Sequence, residues 1–313
     1  MQILVVVVRY KMSLSASETI AGLSRAFEFS PRLFESISVL VWDNSPSPLN
    51  NPSLPFPFEY RHSSENLGVA GAYNIAMEVA EANGCPWLLL LDQDTTLSGN
   101  FLSRMLKYSK DQEPNAHVAA VAPFLMEGNK TISPGEVFFN HLRPLSIPLS
   151  GEYSKDAYAA NSGTLMRVAS LKEIGGYNDD FWLDYSDVVA FHLLYRQNKC
   201  LFVAGDLQLQ HKLASNDYEG SMSTERYQNG VLAEGAFWDL YRSRLENIGL
   251  TARLLARSLK QYYCYSNKAF SKITMKTFCL RLFTSRKTRL QFWNQHCIDR
   301  RVASTSKVSV TKC

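Results

Sequence analysis

Three stretches of this chain are apolar at almost every position: Ile3–Val8, Ile37–Trp42 and Trp87–Leu91. A strand with one wet face alternates apolar and polar residues, so runs without alternation mark strands covered on both faces. Such strands belong to a parallel sheet sandwiched between helices. The sequence between them supplies those helices. Residues 15–29 suit one, with Ser13 or Ser15 as its cap. Val69–Ala82 suits a second, stopped by Asn83-Gly84, and Phe101–Lys110 a third. Phe58–His62 reads as a short strand and Val118–Ala122 as another, while five prolines from Pro46 to Pro57 force a loop. The expected class is α/β, with a mostly parallel central sheet flanked by helices.

In open sheets of this kind, ligands bind beyond the carboxyl ends of the strands. Polar clusters follow those ends here: Arg9-Tyr10, Asp43-Asn44, Asn66-Leu67-Gly68 and Asp92-Gln93-Asp94. They are expected to converge on one cleft. Asp92-x-Asp94, directly after Leu88–Leu91, offers two carboxylates that can hold Mg²⁺ or Mn²⁺ against a diphosphate. The small-residue turn Asn66–Ala72 either aims N–H groups at phosphates or lets a helix pack closely on the sheet. Asp43-Asn44 either hydrogen-bonds a nucleobase or closes an Asx turn. Further on, Asn161–Thr164, Gly175-Gly176-Tyr177 and Phe181–Asp187 set aromatics beside the carboxylates Asp184 and Asp187. Aromatic faces suit sugar rings, and a carboxylate among them can deprotonate a hydroxyl. His211 either completes a metal shell or is simply hydrogen-bonded.

Taken in order, Val5–Tyr10, Asp43-Asn44-Ser45, Asn66-Leu67-Gly68 with Ala72 and Asn74, Leu91–Asp94, Ser162-Gly163-Thr164, Asp184–Asp187 and Gln210-His211 resemble the inverting family 2 glycosyltransferases of the GT-A fold. Within that group the chain is most similar to bacterial rhamnosyltransferases of surface-polysaccharide assembly, over about residues 1–245. The resemblance implies a Rossmann-like nucleotide-binding half and a nucleoside-diphosphate sugar donor, dTDP-L-rhamnose foremost, with UDP-hexose or UDP-galactofuranose as alternatives. The acceptor it implies is a growing, lipid-linked surface glycan such as O-antigen or capsule. Val8, Arg9, Tyr10, Asp43 and Asn44 would hold the base; Asn66, Gly68, Asn74, Gln93 and Gly163 would lie near ribose and diphosphate. Asp92 would approach the ribose and, with Asp94 and His211, the Mg²⁺ or Mn²⁺. Asn161, Trp182 and Tyr185 would face the acceptor, and Asp187 would be the general base, with Asp184 as rival. Two positions depart from the family pattern: Val189 stands where many relatives carry an acid, and Lys11 where many carry Asn. A sugar nucleotidyltransferase, the nearest enzymatic alternative, usually has a Gly-rich first loop, which Arg9-Tyr10-Lys11 lacks.

Charge divides the 313 residues unevenly. The formal net of +4 combines Thr251–Cys313, with 14 Lys/Arg against Asp299 alone (+13), and a body with 19 bases and 28 acids (−9). The expected domains are therefore a catalytic 1–249 and a basic, helical 250–313. In the second, Arg253, Arg257 and Lys260 share one helical stripe, with Leu255, Leu259 and Tyr263 near another. Basic amphipathic helices suit an anionic membrane surface, and the bland reading is a helix packed on acidic neighbours. An acidic body without a nucleic-acid module argues against nucleic acid as partner. The start of the chain lacks a signal-peptide pattern, and six scattered cysteines without a C-x-x-C pair fit reduced thiols. The expected location is cytoplasmic, peripheral on the inner face of the plasma membrane.

Overall fold

The structure, a computed structural model, describes residues 1–145, 150–154, 156–210 and 222–309. The chain folds as two compact units, Met1–Glu136 with Arg143–Lys212, and Val137–Leu142 with Leu213–Cys313. In chain order the first half contains β1 (Ile3–Arg9), α1 (Glu18–Phe29), β2 (Ile37–Asp43), β3 (Glu59–His62), α2 (Gly68–Ala82), β4 (Trp87–Asp92), α3 (Phe101–Gln112) and β5 (Val118–Glu127). Short strands follow: β6 (Lys130–Ser133), β7 (Gly135–Phe138), β8 (His141–Pro144), β9 (Gly151–Tyr153), β10 (Ala157–Tyr158) and β11 (Leu165–Arg167). Next come α4 (Val168–Glu173), α5 (Ser186–Arg196) and β12 (Cys200–Gln210), then helices α6 (Thr224–Tyr241), α7 (Arg244–Cys264), α8 (Ala269–Phe283) and α9 (Arg286–Ser309).

The first unit is the expected α/β body. Its main sheet runs β3-β2-β1-β4-β11-β5-β12-β9, with β6 added to β5. β1 pairs in parallel with both β2 and β4, β2 with β3, and β5 with β12. Two apolar layers cover it. One holds Val6, Leu40, Leu88 and Leu90 against Tyr73 and Ala76 of α2; the other holds Val5, Val41, Leu89 and Leu91 against Leu23 of α1 and Phe101 of α3. Alternate residues of one strand serve opposite layers, which is why these runs carry no polar alternation. Helix α1 starts later than expected: its cap is Ser17, whose hydroxyl accepts from the N–H of Ile20, while Ser13 caps a separate 3₁₀ turn, Leu14–Ala16. The three-residue β11 lies antiparallel between β4 and β5, an insertion too short for sequence periodicity to register.

The second unit is built around α6–α9. Residue 249, the expected domain boundary, falls inside α7. Charge pairing runs across that position. Glu234 of α6, 5% exposed, takes Arg253 at 2.6 Å and Arg257 at 2.7 Å; Asp239, 2% exposed, takes Arg281 at 2.9 Å and Arg289 at 2.7 Å. Burial alone would raise the Glu234 pKa, but the Arg257 and Arg253 charges hold it below the ordinary carboxyl value. Arg253 and Arg257 therefore face the buried Glu234 carboxylate rather than an open basic stripe. Ser243 and Glu246 form a reciprocal capping box that starts α7. Among the described residues no helix is long and apolar enough to cross a membrane.

Candidate active site

The sheet's carboxyl end gathers the expected residues in two groups of different character. In the first, at the ends of β1 and β2, side chains bond one another. Asp43 has no exposure; Oδ2 accepts from Arg9 Nη1 and, at 2.6 Å, from the Tyr60 hydroxyl, and Oδ1 accepts from the Ser45 N–H at 2.9 Å. Burial would raise this carboxyl's pKa, but hydrogen bonds from Ser45 and Tyr60 and the Arg9 charge hold it below the ordinary value. Asn44 is equally occupied: Oδ1 accepts from Trp42 Nε1 at 2.9 Å and the Leu67 N–H at 3.1 Å, and Nδ2 donates to the Gly68 carbonyl at 2.8 Å. Val8 lies beside them, 8% exposed, and Tyr10 is 41% exposed. The Tyr10 backbone bonds both ends of the Gln93 amide, receiving at 3.3 Å and donating at 2.9 Å.

The turn into α2 is used for close packing. Asn66 Oδ1 accepts from the Gly68 N–H at 3.2 Å, and the Ala70 N–H donates to the Trp182 carbonyl at 3.1 Å. Gly68 has φ +70°, and a Cβ there would sit 2.2 Å from the Trp182 carbonyl oxygen. The N–H groups of Leu67, Gly68 and Ala70 thus bond within the protein, where the sequence offered them equally to phosphates. Asn74 clamps the next segment: Nδ2 donates to the Tyr177 carbonyl at 2.9 Å and Oδ1 accepts from the Tyr177 N–H at 2.7 Å. Gly163, φ +85°, donates its N–H to the Leu90 carbonyl at 2.8 Å, and a Cβ would lie 2.7 Å from Leu209 Cδ1.

The second group carries the poised carboxylates. β4 ends at Asp92, whose N–H donates to Ser162 Oγ at 3.0 Å and whose carbonyl accepts from the Thr19 hydroxyl at 2.5 Å. Thr95 closes this spine, 2.5 Å from Ser162 Oγ, so a buried hydroxyl network fixes the backbone at both flanks of Asp92-Gln93-Asp94. The Asp92 carboxylate is half-buried and accepts from the Tyr73 hydroxyl at 3.3 Å; Asp94 is exposed. Two hard oxygen donors at a strand end fit Mg²⁺ or Mn²⁺, which typically takes one or two carboxylates and completes its shell with substrate phosphates. His211 lies outside the described residues.

Asp187 sits in the first turn of α5, and Tyr185, at the helix cap, holds the left-handed conformation at φ +66°. For a residue with a Cβ that geometry costs about 1–3 kcal/mol, and such strain concentrates at working sites. The partly buried Asp187 carboxyl is pushed up to about 6, first by desolvation and further by the charges of Asp184 and Asp92; bonds from the Val188 and Asp187 N–H groups only partly oppose this. The Val188 N–H donates to Oδ1 at 2.8 Å. Between Asp92 and Asp187 lie two buried tyrosines, Tyr73 and Tyr177, with ring centroids 5.3 Å apart. Burial raises both hydroxyls well above their usual value, with Asp92 acting next on Tyr73 and Asp187 next on Tyr177. Asn161 accepts from the Tyr177 hydroxyl at 3.0 Å and donates to Ser186 Oγ at 3.0 Å, so it fixes the start of α5. Asp92, Asp184 and Asp187 therefore share one electrostatic neighbourhood, with Trp182 half-buried nearby on the Gly68 turn. Sequence reasoning passed over Tyr73, Thr19 and Thr95, which look like ordinary helix and turn residues until folding brings them to the strand ends.

Comparison with known proteins bears on the fold. Residues 39–175 match Glycosyl transferase family 2, a span from β2 to just beyond α4. The fold is similar to that of S. aureus TarS, with TM-score 0.51 and 14% identity, covering 98% of this chain and 55% of that one. It also matches two structures of S. aureus TarS 1–349, one (TM-score 0.50, 14% identity) and another in complex with UDP-GlcNAc (0.50, 13%), covering 98% of this chain and 91% of each. No curated protein matches in sequence. The chain spans about half the length of full TarS. Residues 39–175 thus match the model of glycosyl transferase family 2, and the chain shares the fold of TarS.

Proposed function

We propose that this chain is an inverting glycosyltransferase that moves a sugar from a nucleoside diphosphate to an acceptor hydroxyl, with Asp187 as general base. The observation that carries the reading is the placement of Asp187 in the first turn of α5, behind the left-handed Tyr185, where desolvation raises its carboxyl to about 6. A base poised near the working pH is what proton abstraction from a hydroxyl needs. Asp187 takes the acceptor proton as the acceptor oxygen attacks the anomeric carbon; the bond from that carbon to the diphosphate breaks, and its electron pair leaves with the nucleoside diphosphate. One displacement inverts the anomeric configuration. Asp92 and Asp94 would hold Mg²⁺ or Mn²⁺, which neutralises charge on the departing diphosphate. The strained Tyr185 and the Asn161–Ser186 bond orient the turn that presents Asp187.

The donor follows from the resemblance to rhamnosyltransferases: dTDP-L-rhamnose, transferred to a lipid-linked surface glycan. A UDP-sugar is the second reading, favoured by the complex of TarS 1–349 with UDP-GlcNAc. An acceptor of that kind gives a membrane-surface location a purpose, and exposed Leu259, Tyr262, Tyr263, Lys260 and Lys272 are the residues for it. Purified chain with Mn²⁺, a donor panel and a lipid-linked acceptor should release nucleoside diphosphate only when acceptor is present. Release from none of the donors would overturn the proposal. Sedimentation with anionic vesicles, lost on replacing Tyr262 and Tyr263 by Ser, checks the membrane reading.

A further inference from the structure

The opposite end of the sheet carries a second set of chemically active side chains that the transfer reaction does not use. His117 immediately precedes β5, Cys200 opens β12, and Glu152 lies in β9, the strand beside β12. Their ligand atoms lie within 4.8 Å of one another, with His117 and Glu152 exposed and Cys200 buried. Leu165 of β11 pairs with both Leu89 and Val121, so β5 and β4 run in the same direction with those residues level. His117 is then at the amino end of the strands, more than about 20 Å along them from Asp92–Asp94 at ~3.3 Å per residue.

Three features make this a built arrangement. Asn115 orients one ligand and anchors the backbone of a second: Nδ2 donates to Glu152 Oε1 at 3.0 Å, and Oδ1 accepts from the His117 backbone N–H at 3.2 Å. The Cys200 N–H donates to the His117 carbonyl at 2.9 Å, which fixes the third ligand relative to the first. Glu152 Oε2, the oxygen Asn115 leaves open, receives the Cys200 thiol at 3.5 Å. A tetrahedral ion with bonds of about 2.3 Å to sulfur and about 2.1 Å to oxygen would hold those two atoms about 3.6 Å apart. The donors already stand at that spacing. Ligating carboxylates are typically held by such outer hydrogen bonds.

We propose that His117, Glu152 and Cys200 bind a tetrahedral divalent cation of the zinc class, with water in the fourth position. Sulfur and imidazole donors select zinc over the magnesium-like ions suited to Asp92 and Asp94. On binding, the Cys200 thiol releases its proton to solvent and the thiolate bonds the metal; together with the Glu152 carboxylate it neutralises the dication. The ion would staple the edge strand β9 to β12 and to the start of β5. The site stands independently of the glycosyl-transfer reading.

The test uses the full chain, treated with chelator and titrated with Co²⁺ and Zn²⁺. We expect one equivalent bound, and a thiolate-to-cobalt charge-transfer band in the near ultraviolet, which an all-carboxylate site cannot give. Cys200→Ala should abolish the band. Asn115→Ala, which removes only an outer hydrogen bond, should weaken zinc about 10–100-fold, and His117→Gln and Glu152→Gln, at exposed positions, should each weaken it more. Wild-type chain without the band, or zinc affinity unchanged in both His117→Gln and Glu152→Gln, overturns the proposal.

Discussion

Asp43 and Asp187 are both aspartates at the carboxyl end of one sheet, yet folding treats them in opposite ways. Asp43 is sealed from water and bonded by Arg9, Tyr60 and the Ser45 N–H, so its carboxyl stays below the ordinary value. Asp187 is desolvated with two other carboxylates as charged neighbours and only N–H bonds in opposition, so it rises to about 6. Burial acts in the same direction on both; the partners decide the sign. A fully partnered carboxylate holds the framework that joins β1, β2 and β3, whereas one left short of partners can exchange a proton with a ligand.

Substitutions at three positions sharpen or break this contrast, beginning with the largest expected effect. Asp187→Asn should cut transfer by about 10²–10⁴-fold in a single-turnover assay while donor affinity changes little, because only the proton acceptor is lost. Asp43→Ala should cost about 3–5 kcal/mol in urea denaturation, since it strands the buried Arg9 charge. The contrast fails if Asp43→Ala leaves stability intact or Asp187→Asn retains most activity; in the latter case Asp184 becomes the base. Tyr60→Phe removes one bond to Asp43 and should cost about 1 kcal/mol.

The smallest effect has an informative sign. Asp187 binds its proton more tightly folded than unfolded, so between about pH 4 and 6 the folded state holds more protons and stability falls as pH rises. Above pH 6 the desolvated charge is fully present. Asp187→Asn should therefore stabilise the chain by about 1–2 kcal/mol at pH 8, the value discounted for its partial exposure, and leave it unchanged at pH 4. A loss of stability at pH 8 would contradict the idea that the wild-type charge is carried at a cost.

The difference between the two aspartates is invisible in the sequence, and the reason is physical. Parallel strands could be read from Ile3–Val8 and Trp87–Leu91 because burial on both faces leaves a local apolar signature. The candidate carboxylates could be read because they follow strand ends. Their partners could not: Arg9, Ser45 and Tyr60 come from three separate segments, and Tyr73 reaches Asp92 from helix α2. The strands of two to four residues between 130 and 167 are too short for a period to show. The charge arithmetic could not show such partners either. Dividing the chain at 250 separated Arg253, Arg257, Arg281 and Arg289 from Glu234 and Asp239, which pair with them inside the second unit.

The account rests on a proton leaving the acceptor for Asp187, and the pH dependence of transfer tests this most directly. Saturating donor and acceptor, with product formation followed from pH 4.5 to 8.5, should give a rate that rises about tenfold per pH unit below 6 and levels above it. Asp187→Asn should remove that limb together with the activity. A limb centred near 4, where an ordinary aspartate titrates, or a limb retained in Asp187→Asn, would contradict Asp187 as the base.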